Sequence, residues 1–154
     1  MATGIIKSSE HPIEYYDQST VSQWLELNAD NQILPTNANN ATLRRIDRNL
    51  WYVYLALYGV FREHRTQTIG KFKFSFFGNH PVSGYIPAVL GGNSDNQFPA
   101  VARISPTTGN LTVVVPLLRA TDPGGTTEWN AEGTINYVYI QGLFIRREDT
   151  IATN

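Results

Sequence analysis

The sequence predicts an all-β fold, an antiparallel β-sandwich or jelly roll with little helix. Three observations carry that expectation. Charged residues make up only 16% of the chain, while 13 Asn and 15 Thr replace the Glu and Lys that long helices favour. Apolar runs are short and are punctuated by 12 Gly and 8 Pro, the spacing of strands and turns. Finally, Phe72, Phe74 and Phe76 alternate with Lys71, Lys73 and Ser75, a period of two that sends rings to one face and cations to the other. At 154 residues and 17.3 kDa the chain suits one domain with a short arm. Residues 1–40 read as an N-terminal arm, and residues 41–154 as the β-sandwich domain.

Taken in order, residues 1–19 are polar and irregular. Thr20 to Leu27 alternates, placing Val21, Gln23, Leu25 and Leu27 on one side and Ser22, Trp24 and Glu26 on the other, so a short strand is expected. Residues 28–40 hold five Asn, one Asp and a Pro and read as a loop. Between Ala41 and Arg65, Leu43, Ile46, Leu50, Val53, Leu57 and Val60 follow a heptad spacing that a helix would explain. The tyrosines, the tryptophan and Gly59 favour sheet instead, and Asp47-Arg48-Asn49 makes a tight turn in which Asn tolerates a left-handed backbone. The reading is a hairpin, strand 41–46 followed by strand 50–62.

Thr66 to Phe77 is expected as one strand with three rings in the core, broken by Gly78-Asn79-His80-Pro81. Val82 to Leu90 carries Gly84 and Pro87, which point to an edge or bulged strand. Phe98 to Ile104 and Leu111 to Val115 flank a Pro and Gly-Asn turn and form a second hairpin. Residues 116–133 are a long loop containing Trp129. Thr134 to Arg147 is apolar at both parities, as a central strand buried on both sides would be.

Composition also limits chemistry. The absence of cysteine removes disulfides, thiolate metal sites and cysteine nucleophiles. A net charge of −1 lacks the basic stripe of a nucleic-acid module. The longest apolar stretch, Leu50 to Phe61, is too short and too rich in tyrosine for a membrane-spanning helix. The opening residues hold no export signal, so synthesis in a cytoplasm without export is expected. His11, His64 and His80 show no metal-ligand spacing, there is no nucleophile elbow, and no carboxylate pair stands out for glycoside hydrolysis. Residues 93–96 and 122–125 are rich in oxygen ligands but read as turns, without EF-hand spacing. Neither an enzyme nor a cofactor or metal site is expected.

One loop stands apart. Trp129 sits among Gly, Thr, Glu and Asn, and an indole there can stack on a sugar ring while Asp122, Glu128 and Asn130 accept its hydroxyl hydrogen bonds. The alternatives are a buried loop anchor or a subunit contact.

The run ATLRRIDRNLWYVY at Ala41 to Tyr54 resembles the opening of the receptor-binding head modules at the tips of phage tail and baseplate fibres. TIGKFKFSFFGNHP, the run from Ile104 through Gly109 to Val113, and the closing INYVYIQGLFI resemble the middle and final strands of such modules. The likeness spans roughly residues 41–147 and consists of strand and turn patterns. It implies a trimeric, tumour-necrosis-factor-like jelly-roll head located on a virion, made in the host cytoplasm, and binding host-surface saccharide. The apolar strand 134–145 and the tyrosine-rich strand 51–58 would then supply the face between copies. Residues 1–40 carry no coiled-coil or collagen-like shaft, and with Tyr15, Tyr16 and Trp24 they would dock on other virion proteins. A purely structural baseplate, decoration or adaptor subunit and a free carbohydrate-binding module are the competing readings.

Overall fold

The computed structural model describes residues 3–7, 12–36, 38–61, 65–92, 97–115, 119–122, 125–128 and 135–151. In chain order the elements are β1 (Gly4–Lys7), β2 (Pro12–Tyr16), a 3₁₀ turn (Gln18–Thr20), α1 (Val21–Trp24), β3 (Leu25–Leu27), β4 (Gln32–Ile33), β5 (Ala41–Arg45) and β6 (Leu50–Tyr58). They continue with β7 (Arg65–Phe72), a second 3₁₀ turn (Phe74–Phe77), β8 (Val82–Gly92), β9 (Gln97–Ile104), β10 (Asn110–Val115), β11 (Arg119–Asp122), β12 (Gly125–Glu128) and β13 (Ile135–Arg146). The fold is all-β and antiparallel. Eleven strands form one sheet in the order β1-β2-β5-β6-β13-β8-β9-β10-β7-β3, with β4 beside β6, and β11 and β12 form a separate hairpin.

The sheet curls so that its two flanks face each other. Phe72 on β7 and Phe144 on β13 lie 5.3 Å apart between ring centroids, although β8, β9 and β10 separate their strands in the sheet. Tyr16 on β2 meets Phe76 at 4.9 Å in an edge-on contact. Trp51 completes the aromatic core, 5.0 Å from Phe77 and stacked 6.5 Å from Phe144. Such pairs add to the burial of apolar area, which supplies most of the stabilisation.

The expected hairpin forms, its second strand ending at Tyr58 rather than at residue 62, with β5 and β6 paired from Ala41↔Leu55 to Arg45↔Trp51. Its turn differs in detail. Among the described residues, positive φ occurs at Gly78, Asn79 and Gly109, so Asn49 is not left-handed. Asn49 acts through its side chain instead. Its Nδ2 donates to Glu148 at 3.0 Å, and its Oδ1 accepts from Arg146 Nε at 3.1 Å. The Asn49 amide, then Arg48 and Arg146, hold the Glu148 carboxyl below its usual range.

Four expectations are corrected. Residues 20–27 are not one strand. Asp17 accepts from the Ser19 amide and opens a 3₁₀ turn that runs into α1, which rotates Trp24 into the core, fully buried, with its Nε1 donating to Thr20 Oγ1 at 3.4 Å. Tyr16 and Trp24 are thus core residues, and β1 to β4 all pair into the sheet. Second, the phenylalanine stripe does not continue beyond Phe72. Phe77 also needs burial, and a 3₁₀ turn places Phe74 and Phe77 on one side because positions three apart eclipse. Gly78, at φ 72°, ends that turn in a conformation glycine adopts without penalty. Third, of the two expectations for β8, an edge or a bulged strand, the edge is excluded, while its ladder to β13 does carry a register shift between Ile135 and Tyr137. β8 lies between β13 and β9, and Pro87, which has no N–H, is accommodated where the ladder to β13 lapses between Ala88 and Ser83. Fourth, β13 is central but is buried on one face only: Leu143 and Ile145 are 51% and 47% exposed.

Tyr16 predicts an alkaline weakness. Burial, then the hydrogen bond and charge of Glu14, push its hydroxyl from 10.0 up to about 12. A raised folded-state value means the native state holds the proton more tightly than the unfolded chain. The stability this contributes is present below pH 10 and is lost as pH rises toward 12. Denaturant midpoints measured across that window should fall more steeply for the wild type than for Tyr16→Phe.

Candidate interaction face

Strand alternation sorts each strand of the curled sheet into an inner set and an outer set. The inner set of β6 is Trp51, Val53, Leu55 and Leu57, and that of β13 is Val138, Ile140 and Phe144, all buried. The outer sets align across the sheet. Tyr58 pairs with Tyr137, Ala56 with Tyr139, Tyr54 with Gln141, Tyr52 with Leu143 and Leu50 with Ile145. On the far side Tyr85 pairs with Arg103, Pro87 with Val101 and Val89 with Pro99, while Val101 pairs with Val114. These outer rungs carry no carboxylate.

Apolar exposure concentrates here. Tyr85 is 72% exposed, and Tyr58, Val89, Val101, Val114, Leu143 and Ile145 are each more than a third exposed. The upper half, where β6 ends and β13 begins, is a tyrosine cluster. Tyr137 and Tyr139 meet edge-on at 5.2 Å. Burial, then the neighbouring Tyr137, Tyr54 and Tyr58, hold the Tyr139 hydroxyl above its ordinary range. In the middle, Gln141 Nε2 donates to Tyr52 Oη at 2.7 Å, and the Arg44 guanidinium lies 5.6 Å over the Tyr52 ring. The lower half sinks into a hollow of about 450 Å³ between Tyr85, Arg103, Leu143 and Arg147. There Arg103 lies 5.8 Å over the Tyr85 ring, a cation–π pair across adjacent strands.

The saccharide residues expected from sequence are only partly within the described residues. Asp122 ends β11 opposite Gly125, and Glu128 ends β12 opposite Arg119. The two acids therefore stand three rungs apart on the hairpin, about 10 Å along the strands, and do not share a rung. Trp129 and Asn130 lie outside the described residues, as do His11, His64 and residues 93–96. Among the described residues no three His, Cys, Asp or Glu side chains group to hold a metal, and no helix is long and apolar enough to cross a membrane.

Tyr85 and Arg103 were not singled out by sequence. The usable signal was an arginine at the third alternate position of an otherwise apolar strand, Phe98 to Ile104. No protein-family model, curated protein or solved structure matches this chain.

Proposed function

We propose that this chain is a non-enzymatic, virion-associated head module that assembles as a homotrimer and recognises host-surface saccharide, attached to other virion proteins through its N-terminal segment. The observation that carries the assembly is the upper half of the outer face. Tyr58, Tyr139, Val89, Val101 and Val114 form one oblique apolar path over five strands. Monomeric proteins seldom leave a patch of that kind in water, and a second copy of the chain covers it. The strand and turn likeness to phage fibre heads supports the setting on a virion. Shallow sugar contacts that are weak singly gain strength when three heads engage one cell surface.

Light scattering should give a mass near three chains. Val89→Asp and Val101→Asp each put a charge on the path without touching the core, and each should reduce the mass to one chain with an unchanged circular dichroism spectrum. A wild type that scatters as a monomer at high concentration overturns the assembly. On a glycan array the wild type should give signals that Trp129→Ala loses. Trimeric protein that binds no glycan and copurifies with particles supports the purely structural subunit instead.

A further inference from the structure

We infer that the hollow in the lower half of the outer face is a binding site for a carboxylated sugar. The inference rests on the saccharide reading above and names the class of sugar. The floor is apolar, formed by Leu143 and Ile145, and Ile145 pairs with the small Ser83, which leaves the space above it open. The wall is the Tyr85 ring, 72% exposed, a flat apolar surface of the kind that packs against the C–H face of a pyranose. Two guanidiniums stand at the rim, Arg103 and Arg147.

Neither arginine makes an ion pair among the described residues. The nearest acid in sequence to Arg147 is Glu148, whose carboxylate is taken up by Arg48, Arg146 and Asn49. Asp149 lies beside Arg147 in a neighbouring hollow but accepts from the Thr150 hydroxyl at 3.4 Å, and the outer rungs around Arg103 hold no acid. Two guanidiniums that make no ion pair among the described residues, beside an apolar floor, complement a ligand with one apolar face and one planar anion, and a carboxylate accepts two parallel hydrogen bonds from a guanidinium. Stacking on Tyr85 holds Arg103 in place before any ligand arrives, so less side-chain freedom is lost on binding. The hollow, about 450 Å³, falls within the range of small-ligand sites. A net charge of −1 over the chain argues against an extended polyanion such as nucleic acid.

The test is a titration of the ¹⁵N-labelled full chain with sodium glucuronate, using glucose as the neutral control and sodium chloride to match ionic strength. Glucuronate should shift the amides of Ser83, Tyr85 and Arg103, and glucose and chloride should not. Arg103→Ala and Tyr85→Ala, both at exposed positions, should each weaken glucuronate at least tenfold with the remaining spectrum unchanged, whereas Lys71→Ala should not. If chloride alone reproduces the shifts, or if neutral sugars bind elsewhere while these amides stay silent, this site is overturned and the saccharide reading stands. If no sugar binds here and no glycan binds on the array, both fall.

Discussion

Phe144→Ala should cost the fold about 3–5 kcal/mol. Phe144 is 2% exposed and touches Trp51, Phe72 and Phe77, with centroids at 6.5, 5.3 and 5.9 Å. Those partners come from β6, β7 and the second 3₁₀ turn, so one ring bridges both flanks of the curled sheet. Truncation removes its transfer free energy and leaves a cavity that three rigid rings cannot close. Chemical denaturation should show the loss as a lower midpoint with an unchanged slope, and the fluorescence of Trp51 should shift toward that of a hydrated indole. A loss below about 1 kcal/mol would mean that the two flanks do not depend on this contact.

The second large effect is expected at Gly70. A Cβ there would stand 2.7 Å from the backbone oxygen of Glu26 and 3.4 Å from the Leu27 Cα. Backbone atoms cannot rotate away as a side chain can. Gly70→Ala should therefore push β3 off β7, breaking the pairs Leu25↔Phe72, Glu26↔Lys71 and Leu27↔Gly70, at a cost of about 1–3 kcal/mol. Ile69 beside it is already the unpaired residue of a bulge against β10, since Leu111 pairs with Gly70 and Thr112 with Thr68, and little slack remains locally. Hydrogen exchange should localise the damage: the β3 amides lose protection while those of β13 keep theirs.

These two sites mark what was and was not legible in the sequence. The β5–β6 hairpin could be read because its turn residues and its tyrosines agreed on sheet, although a heptad of leucines and valines argued for helix. The central place of β13 was legible from apolar residues at both parities. Its exposure was not, because sequence shows that both faces are greasy without showing that one chain covers only one of them. The stripe at Phe72–Phe77 misled because alternation describes a strand equally well up to the residue where the chain turns; the decisive facts are that Phe77 also needs a place inside and that Gly78 permits the exit. Around Trp24, Asp17 was the missed signal, a capping side chain four residues ahead of a helix only one turn long. Of the candidate sugar residues, loop composition could nominate Asp122, Glu128, Trp129 and Asn130, but the three-rung spacing of Asp122 and Glu128 comes only from the register of β11 and β12. The Tyr85–Arg103 pair lies on two different strands and becomes visible only when their register is known.

The position of β13 has a consequence for synthesis. It is the latest of the thirteen described strands in chain order, yet it fills the gap between β6 and β8. Until residues 135–146 leave the ribosome, the strands already made form two half-sheets, each with an open hydrogen-bonding border and a bare flank of aromatic rings. Such borders pair readily with any strand they meet. A nascent chain of this design is exposed to strand exchange with its neighbours on the same polysome until β13 threads into the middle.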